Sequence, residues 1–289
     1  MGKINIKNYK GNRLHVVDVN AVAATKYWAF KDLSYVTSSN ELVKTGILYG
    51  VLSIFKEIPL GDKVIFCFDS MNNSRKEEND MYKSGRVSLG DDFHNQLSFT
   101  QSVLYKCGFD VLQKRGFEAD DLVVGAVNVN IDLYDYIFVY TNDNDLAQLI
   151  SNKVILKVIG KKRKDITIDN YEEEVGLPYN TVILYKALVG CRSDKVSGVK
   201  GFGYKAFKVF LKELQNEYDL CRIRENNAEK EIIEKYFDGE QKEQALESLN
   251  LVLPRYVGDY FYSTGAKFDE KLFRFYLKEY GMHSILDKI

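Results

Sequence analysis

The chain has 289 residues, 45% of them hydrophobic, and a formal net charge of −1. That length and apolar content are sufficient for one large core or two smaller ones. There are only three histidines and four widely spaced cysteines, so the sequence gives poor support to a zinc enzyme, a histidine-based triad or a disulfide framework.

The N-terminal segment MGKINIKNYKGNR has no hydrophobic signal core. No stretch of the sequence approaches the roughly eighteen apolar residues that a membrane-spanning helix requires. We therefore expect a cytoplasmic protein. A monomer is a separate expectation.

Three segments are typical of buried parallel strands, because they are rich in β-branched and aromatic residues and a helical pattern follows each one. They are LHVVDV (14–19), KVIFCFD (63–69) and YIFVYTNDND (136–145). Between the first two, the apolar spacing of residues 41–58 predicts a helix. This alternation of strands and helices predicts an α/β fold built from βαβ units.

Each predicted strand reaches an aspartate at or near its carboxyl end. These residues are Asp18, Asp69, and Asp143 with Asp145. One such aspartate is commonly a helix cap, but three strand ends with the same feature are harder to explain in that way. The carboxyl edge of an open parallel sheet is also where ligands bind.

A further acidic group opens an amphipathic helix in GFEADDLVVGAV (116–127). Glu118, Asp120 and Asp121 would interact favourably with the helix dipole, although two acids would suffice for that. Together with the strand ends they make seven carboxylates, which would repel one another at one sheet edge without bound cations. Oxygen ligands without histidine or cysteine select Mg²⁺ or Mn²⁺. Two such ions about 4 Å apart are the usual apparatus of phosphodiester hydrolysis.

Although the net charge is near neutral, two segments of the chain are strongly basic. Residues 186–212 carry seven cations against one acid, Asp194, and residues 153–164 carry six cations and no acid. Surface lysines are often only solubilising, so neither segment alone establishes a nucleic-acid site.

The stretch GCRSDKVSGVKGFGYKA (190–206) contains the spacing G-x-x-G-x-G. A dinucleotide-binding turn would need a strand before it, whereas residues 181–189 predict a helix. A glycine hairpin between two helices could grip phosphate through backbone amides and lysines. The alternative is a helix–turn–helix with glycine caps and no ligand.

These motifs resemble the 5′-nucleases, a family that includes bacteriophage flap endonucleases and the 5′-nuclease domain of bacterial DNA polymerase I. The resemblance covers nearly the whole chain. It is carried by VVDVN, FD at Asp69, EADD at 118–121, TNDNDLAQL at 141–149, the hairpin GVKGFGYKA and NLVLPRY at 250–256.

The resemblance implies a PIN-like parallel-sheet core over residues 1–180, with a helical arch at about 70–115. A helical region with a helix–three-turn–helix element for DNA binding would follow over 181–289. The first divalent ion would be held by Asp18, Asp69, Glu118 and Asp120. The second would be served by Asp121, Asp143, Asp145 and Asp194. A K⁺ ion on the carbonyls of the glycine hairpin is also implied.

The same resemblance suggests roles for the segment DMYKSGR (80–86). Lys83 and Arg86 would contact the scissile phosphate as catalytic residues, and Tyr82 would stack on a base, roles that suit cations and aromatic faces. The alternatives are a solvated helix face for the two cations and partial burial for the tyrosine. The hairpin residues expected to bind DNA are Lys200, Gly201, Gly203 and Lys205.

One position departs from the family pattern. Members commonly have Gly-Asp-x-x-Asp-Asn before the hairpin, whereas this chain has Cys191 in place of the first aspartate and Lys195 in place of the asparagine. A thiol binds Mg²⁺ poorly, so we expect a weaker or displaced second ion, with Lys195 partly replacing its charge.

The sequence therefore predicts a divalent-metal-dependent 5′→3′ exonuclease and flap endonuclease acting on DNA, with RNA–DNA hybrid as a further substrate if it removes primers during replication. The alternative is a non-catalytic protein that binds branched DNA after losing the second metal site. A PIN-type ribonuclease toxin is disfavoured by the chain length, the arch and the glycine hairpin.

Overall fold

The structure is a computed structural model that describes residues 2–85, 87–160, 163–223, 228–258 and 267–289. Within these ranges, no helix combines the length and the apolar character that crossing a membrane would need.

Seven strands form in the described residues. They are β1 (Arg13–Asp18), β2 (Ser34–Val36), β3 (Leu42–Lys44), β4 (Lys63–Cys67), β5 (Asp110–Leu112), β6 (Tyr136–Thr141) and β7 (Val154–Val158). Five of them make one parallel sheet in the order β5-β4-β1-β6-β7, while β2 and β3 form a separate antiparallel pair.

Twelve α-helices form in the same ranges. They are α1 (Val19–Phe30), α2 (Gly46–Leu52), α3 (Ser74–Glu78), α4 (Gly90–Lys106), α5 (Ala119–Asn130), α6 (Tyr171–Val175), α7 (Val182–Val189), α8 (Tyr204–Leu214), α9 (Glu229–Tyr236), α10 (Gly239–Val252), α11 (Glu270–Glu279) and α12 (His283–Leu286).

The three strands predicted from the sequence are confirmed as the three central strands of the sheet. Val16 of β1 pairs with Ile65 of β4 on one side and with Val139 of β6 on the other. After β1, the chain adds β4 and then β5 on one side of β1. It then crosses to the other side of β1 and adds β6 and then β7. The reversal places a ligand-binding crevice beyond the carboxyl ends of β1 and its neighbours.

Both faces of the sheet are covered, which explains why its central strands are almost continuously apolar. Alternate side chains of β1 enter different clusters: Val17 packs on one face, and Leu14 and Val16 pack on the other. Buried residues of α1, α2 and α4 cover the first face, and Leu122 and Val123 of α5 help to cover the second. The predicted α/β core is thereby confirmed.

A third apolar cluster holds helices α7 to α10 together, with Ile183, Phe207, Ile232 and Leu249 among its buried members. Helix α11 does not join it, because Phe273 and Leu277 pack into the first cluster instead. The boundary near residue 180 stays a prediction, and the last two helices are packed on the α/β core rather than on the helical region.

The helix expected over residues 41–58 is only partly present. Its first residues form β3, which pairs with β2 through Tyr35 and Val43, and α2 begins at Gly46. An added Cβ at Gly46 would lie 1.9 Å from the carbonyl oxygen of Phe30. Close packing of α2 against the end of α1 therefore sets where this helix begins, and helical periodicity carries no information about such a contact.

Candidate active site

Asp18 anchors the acidic edge of the sheet. It is the last residue of β1 and caps α1, since its Oδ1 accepts a hydrogen bond from the Ala21 amide at 3.0 Å. Its Oδ2 accepts one from the Thr141 hydroxyl at 2.9 Å, at the end of the neighbouring strand β6. Burial raises the pKa of Asp18 to about 7, and the charges of Asp69 and Asp143 add to this effect. Asp18 therefore lies in a crowded anionic environment.

Asp69 and Asp143 follow the two strands that flank β1. Asp69 lies just beyond β4, and its Oδ1 accepts a hydrogen bond from the Ala119 amide at 2.7 Å, which ties this strand end to the start of α5. Asp143 follows β6, where its amide donates to the Thr141 hydroxyl at 3.0 Å. Asp18 and Asp143 thus share Thr141, and Asp69 lies close enough to Asp18 for its charge to raise the pKa of Asp18.

The EADD motif forms the amino end of α5, as the sequence predicts. The Glu118 amide donates to Asp121 Oδ2 at 3.1 Å, and the Asp121 amide donates to Asp120 Oδ1 at 2.7 Å. Burial together with the charges of Asp121 and Glu118 raises the pKa of Asp120 well above its ordinary range. No ion pair involves Asp18 or Asp120 within the part of the chain that the structure describes.

Arg75, from α3, is a buried cation beneath the EADD motif. Its guanidinium donates to both oxygens of Asp121 at 2.6 and 2.9 Å, to Glu118 Oε2 at 2.8 Å and to the Leu253 carbonyl at 2.9 Å. Asp121 also accepts a hydrogen bond from the Arg255 amide at 2.8 Å. Asp121 is fully buried and surrounded by donors, so it acts here as an anchor for α3 and for the NLVLPRY segment.

The side chains of Tyr82 and Lys83 contact Glu118 rather than extending into solvent. The Tyr82 hydroxyl donates to Glu118 Oε2 at 3.0 Å, and Lys83 Nζ donates to Glu118 Oε1 at 2.5 Å. Only 4% of Tyr82 is exposed, so its ring has no free face for the expected base stacking in this structure. Burial, the alternative to base stacking, is what the structure shows for Tyr82, because its hydroxyl contacts the buried carboxylate of Glu118. Arg86, the other predicted catalytic cation, lies outside the described residues.

The segment expected to form an arch contacts the acidic site directly. After α3, a series of turns carries Lys83, whose amide donates to the Asp194 carbonyl at 3.0 Å. Helix α4 then packs into the first apolar cluster through Phe93, Val103 and Leu104. In its described part this segment rests on the carboxylates, and the arch stays a prediction.

Lys186, from α7, joins the remaining acidic residues. Its ammonium forms an ion pair with Asp145, and Asp194 Oδ2 lies 3.6 Å from the same nitrogen. Burial lowers the pKa of Lys186, but the charge of Asp145 and the hydrogen bond to it raise the pKa more, so the net shift is upward. Burial and the charge of Asp143 raise the pKa of Asp145 to about 6 despite this pairing.

A small cavity of about 20 Å³ lies where these groups meet. Its lining includes four predicted metal ligands, namely Asp120, Asp143, Asp145 and Asp194. It also includes Arg75, Tyr82 and Lys83. A cavity of about 10–15 Å³ holds a single water-sized sphere, so there is space for one small ion or water molecule.

The donor set has the chemistry that a hard divalent ion requires, since it consists of carboxylate oxygens, and burial and neighbouring acids raise the pKa values of Asp18, Asp120 and Asp145. As the side chains stand, no three His, Cys, Asp or Glu side chains of the described residues are arranged to bind one ion. Protein cations instead contact Glu118, Asp121, Asp145 and Asp194.

Cys191 lies beside this site, at the position where the family commonly has an aspartate. Its thiol donates to Asp194 Oδ2 at 3.5 Å and lies 3.1 Å from the Ser193 hydroxyl. Lys195 does not fill the missing charge, since it is exposed and its stem lies against Gly85. Lys186 contacts both Asp145 and Asp194.

The glycine hairpin between α7 and α8 has the predicted form. Gly198 and Gly201 have φ angles of +67° and +80°, which side chains rarely adopt. An added Cβ at Gly198 would lie 2.5 Å from the Gly190 nitrogen, whereas Gly201 faces open space. Lys200, Gly201 and Gly203 are exposed, and so is Lys205 in the first turn of α8, whereas Val199 is buried. The hairpin thus presents backbone and lysines to solvent.

Sequence reasoning did not assign two residues of the site. Arg75 sits among charged neighbours in SRKEE, a pattern that is typical of a solvated surface. Lys186 was counted only as one cation of a basic segment. Lys186 lies four residues before Gly190 on an apolar helix. This spacing could have indicated a place in the site, because it puts Lys186 at the end of α7 that leads into the hairpin.

The family described as the 5′-3′ exonuclease N-terminal, resolvase-like domain matches residues 13–176, which contain the whole parallel sheet and its acidic edge. The chain belongs to this family. The resemblance noted from its motifs is therefore confirmed.

Relatives of the chain include DNA polymerase I of Caldicellulosiruptor bescii, which is 32% identical over 231 residues, covering 75% of this chain and 27% of the polymerase. The chain thus spans about a quarter of the length of that relative. The 5′-3′ exonuclease of Buchnera aphidicola is 27% identical over 232 residues, which cover 78% of this chain and 77% of that protein.

Solved structures with the same fold include the D15 protein of bacteriophage T5, co-crystallised with metal ions. It matches with a TM-score of 0.62 at 20% identity, over 83% of this chain and 89% of that one. A pseudo-enzyme-product complex of the T5 D15 flap endonuclease with DNA and metal ions matches with a TM-score of 0.62 at 21% identity, over 96% of this chain and all of the other. The PIN-like nuclease fold is thereby confirmed.

Proposed function

We propose that this chain is a 5′→3′ exonuclease and flap endonuclease that hydrolyses phosphodiester bonds of DNA with the help of a divalent ion. The observation that carries the proposal is the meeting of strand-end and helix-start carboxylates, Asp18, Asp69, Asp120 and Asp143, at the switch point of the family's parallel sheet. Membership of the exonuclease family and the similarity to a flap endonuclease crystallised with DNA support it.

The divalent ion would be Mg²⁺ or Mn²⁺, because the predicted metal ligands that line the cavity are all carboxylates, with no histidine or cysteine among the described residues lining it. Asp18, Asp69 and Asp120 would hold it together with Asp143, which takes the place of Glu118 in the predicted first set because Glu118 is paired with Arg75 and Lys83. When bound there, it would generate a water nucleophile near neutral pH and neutralise charge on the scissile phosphate. The sequence predicts two such ions.

Protein cations would act on the substrate itself. Lys83 Nζ lies on Glu118 at the mouth of the acidic site, and a phosphate entering there would offer it a second anionic partner. A lysine in this position steadies negative charge that develops during the reaction. Arg75 would keep Glu118 and Asp121 in place through its hydrogen bonds to both carboxylates.

The duplex part of the substrate would lie along the glycine hairpin. Exposed Lys200 and Lys205, with the open backbone at Gly201, suit contacts with phosphates. A groove of about 360 Å³ beside the hairpin is lined by Lys195, Lys200 and Asn79, which connects the hairpin with the segment that rests on the active site. K⁺ on the hairpin carbonyls, action on RNA–DNA hybrid, the monomeric state and the cytoplasmic location remain parts of the proposal.

A non-catalytic binder of branched DNA is the rival, and the contacts of Lys186 with Asp145 and Asp194 favour it. The deciding experiment incubates the full chain with 5′-labelled flap DNA, with and without Mg²⁺, and with hairpin RNA in parallel. We expect Mg²⁺-dependent cleavage of the flap, a 5′-phosphate on the downstream product and no cut in the RNA. Tight flap binding without cleavage in Mg²⁺ or Mn²⁺ would support the rival instead.

A further inference from the structure

The position of Lys186 is set by the fold. It lies on α7, whose neighbouring residues Ala187 and Leu188 are completely buried in the helical cluster, and its carbonyl accepts the Gly190 amide at 3.0 Å where the helix ends. Its side chain is only 14% exposed and ends between Asp145 and Asp194. The backbone on both sides is therefore anchored, and the ammonium has carboxylate partners within reach.

Asp121, a predicted ligand of the second ion, already has four donors. Arg75 supplies two of them, and the amides of Glu118 and Arg255 supply the others. A carboxylate accepts about four hydrogen bonds, so Asp121 has no lone pair left for an ion.

Asp145 and Asp194 are engaged as well. Lys186 contacts both carboxylates, and the Cys191 thiol donates to Asp194. Cys191 adds no hard oxygen ligand, because its side chain is a thiol and sulfur binds Mg²⁺ poorly. Of the predicted second-site set, Asp143 is the one residue without an ion pair in the described part of the chain.

Few carboxylate oxygens therefore remain for another ion. A second hydrated divalent ion would need more free carboxylate oxygens than this set provides.

We propose that the ammonium group of Lys186 takes the place of the second divalent ion, so that this protein holds a single ion at Asp18, Asp69, Asp120 and Asp143. Cys191 supplies no carboxylate, and Lys186 places a fixed positive charge between Asp145 and Asp194. This inference rests on the proposed function.

Metal stoichiometry tests the inference without relying on activity. Mn²⁺ bound to the full chain is counted by electron paramagnetic resonance, in the absence of DNA, for the wild type and three variants. We expect one tightly bound ion in the wild type, one in Lys186→Arg, and two in Lys186→Met combined with Cys191→Asp. Exposed Lys212→Met serves as the matched control and should keep one ion.

Two tightly bound ions in the wild type would overturn the inference, and so would a single ion in a folded Lys186→Met/Cys191→Asp variant. Circular dichroism checks that this variant is folded. If it is not, the wild-type count decides the matter alone.

Failure of the proposed function gives a different result. In that case Mn²⁺ would not bind tightly to the wild type at all, or the number of bound ions would be unchanged in Asp120→Asn. Two wild-type ions, one of them lost in Asp120→Asn, would leave the nuclease proposal intact and remove only the role of Lys186.

Discussion

Arg75 donates two hydrogen bonds to the carboxylate of Asp121, at 2.6 and 2.9 Å, and both side chains are at least 97% buried. This pair connects α3, in the segment that rests on the active site, to the start of α5. Its geometry is bidentate, which is the strongest arrangement available to an arginine and a carboxylate. The acidic edge of the sheet is therefore built around a cation that belongs to the protein.

Replacing Arg75 should be strongly destabilising. Arg75→Met leaves the buried Asp121 charge without its partner, and we expect the free energy of unfolding to fall by about 3–5 kcal/mol. Adding Asp121→Asn removes that charge and should recover part of the loss. Urea unfolding of the two variants and the wild type provides the comparison. If Arg75→Met unfolds within about 1 kcal/mol of the wild type, the pair is not an anchor.

Asp120→Asn should separate stability from activity. Burial and two neighbouring acids raise the pKa of Asp120, so its charge costs folding free energy near neutral pH, by about 1.4 kcal/mol for each pKa unit of the shift. The variant should therefore be more stable than the wild type in EDTA. It should also lose flap cleavage but bind flap DNA as tightly or more tightly, since one charge that repels phosphate is gone. Thermal unfolding, cleavage and gel-shift assays test these points, and appreciable cleavage would mean that the ion lies elsewhere.

Tyr82→Phe distinguishes burial from base stacking. Loss of the hydroxyl removes the hydrogen bond to Glu118 and should lower the free energy of unfolding by about 1.5–3 kcal/mol, the range for bonds to charged groups. A phenylalanine would stack on a base as well as a tyrosine does, so a stacking role predicts little change in either stability or DNA affinity. Denaturant unfolding and flap affinity are measured together, and an unchanged stability would speak for the stacking role.

Lys205→Ala tests the hairpin as a DNA-binding surface. The exposed ammonium is expected to contact a phosphate, so its loss should weaken binding of all DNA sequences alike and reduce the slope of log K against log salt by about one unit. Lys205→Arg, which keeps the charge, is the control and should retain the slope. Fluorescence anisotropy at several salt concentrations gives both slopes, and equal slopes for Lys205→Ala and the wild type would return the hairpin to a structural role.

His15 provides a prediction about pH. It is completely buried in β1, with Nε2 3.0 Å from Asp62 and Nδ1 3.2 Å from the Tyr140 hydroxyl. Burial lowers its pKa below 6.5, since it outweighs the opposing effect of Asp62, and Arg13 and Lys157 lower it further. The unfolded chain then binds more protons than the folded one just below pH 6.5. The His15 contribution to stability is therefore complete above pH 6.5 and is lost as pH falls towards the folded-state pKa.

The measurement for His15 is urea unfolding between about pH 5 and 7.5 for the wild type and for His15→Gln, which does not titrate. The difference in unfolding free energy between the two proteins should shrink as the pH falls. Taking the difference removes the contribution of carboxylates that titrate in the same range, such as Asp18 and Asp145. A difference that stays constant with pH would mean that His15 is charged in the folded protein.

Local patterns in the sequence were sufficient for the central architecture. Buried parallel strands have a distinctive run of apolar residues, and those runs identified β1, β4 and β6. Because the carboxyl ends of parallel strands lie at one edge of a sheet, the sequence predicts that the acids following these strands lie close together. The EADD motif and the glycine hairpin were likewise recognisable, since each depends on residues that are adjacent in the chain.

The short edge strands β5 and β7 and the hairpin of β2 and β3 were not foreseen. A strand of three residues such as β5 carries too little pattern to be distinguished from a loop. The start of α2 depends on the contact of Gly46 with Phe30, which is a tertiary relationship.

The sequence by itself determined which carboxylates gather at the sheet edge, because register and strand direction follow from patterns along the chain. Only the tertiary structure decided what each carboxylate faces. Arg75 reaches Asp121 from 46 residues away, and Lys186 reaches Asp145 from 41 residues away. Spacing along the sequence does not encode such encounters. Whether an acid binds an ion or a protein cation depends on which positive group the fold brings within a few ångströms, since the interaction between charges falls off with distance and strengthens with burial.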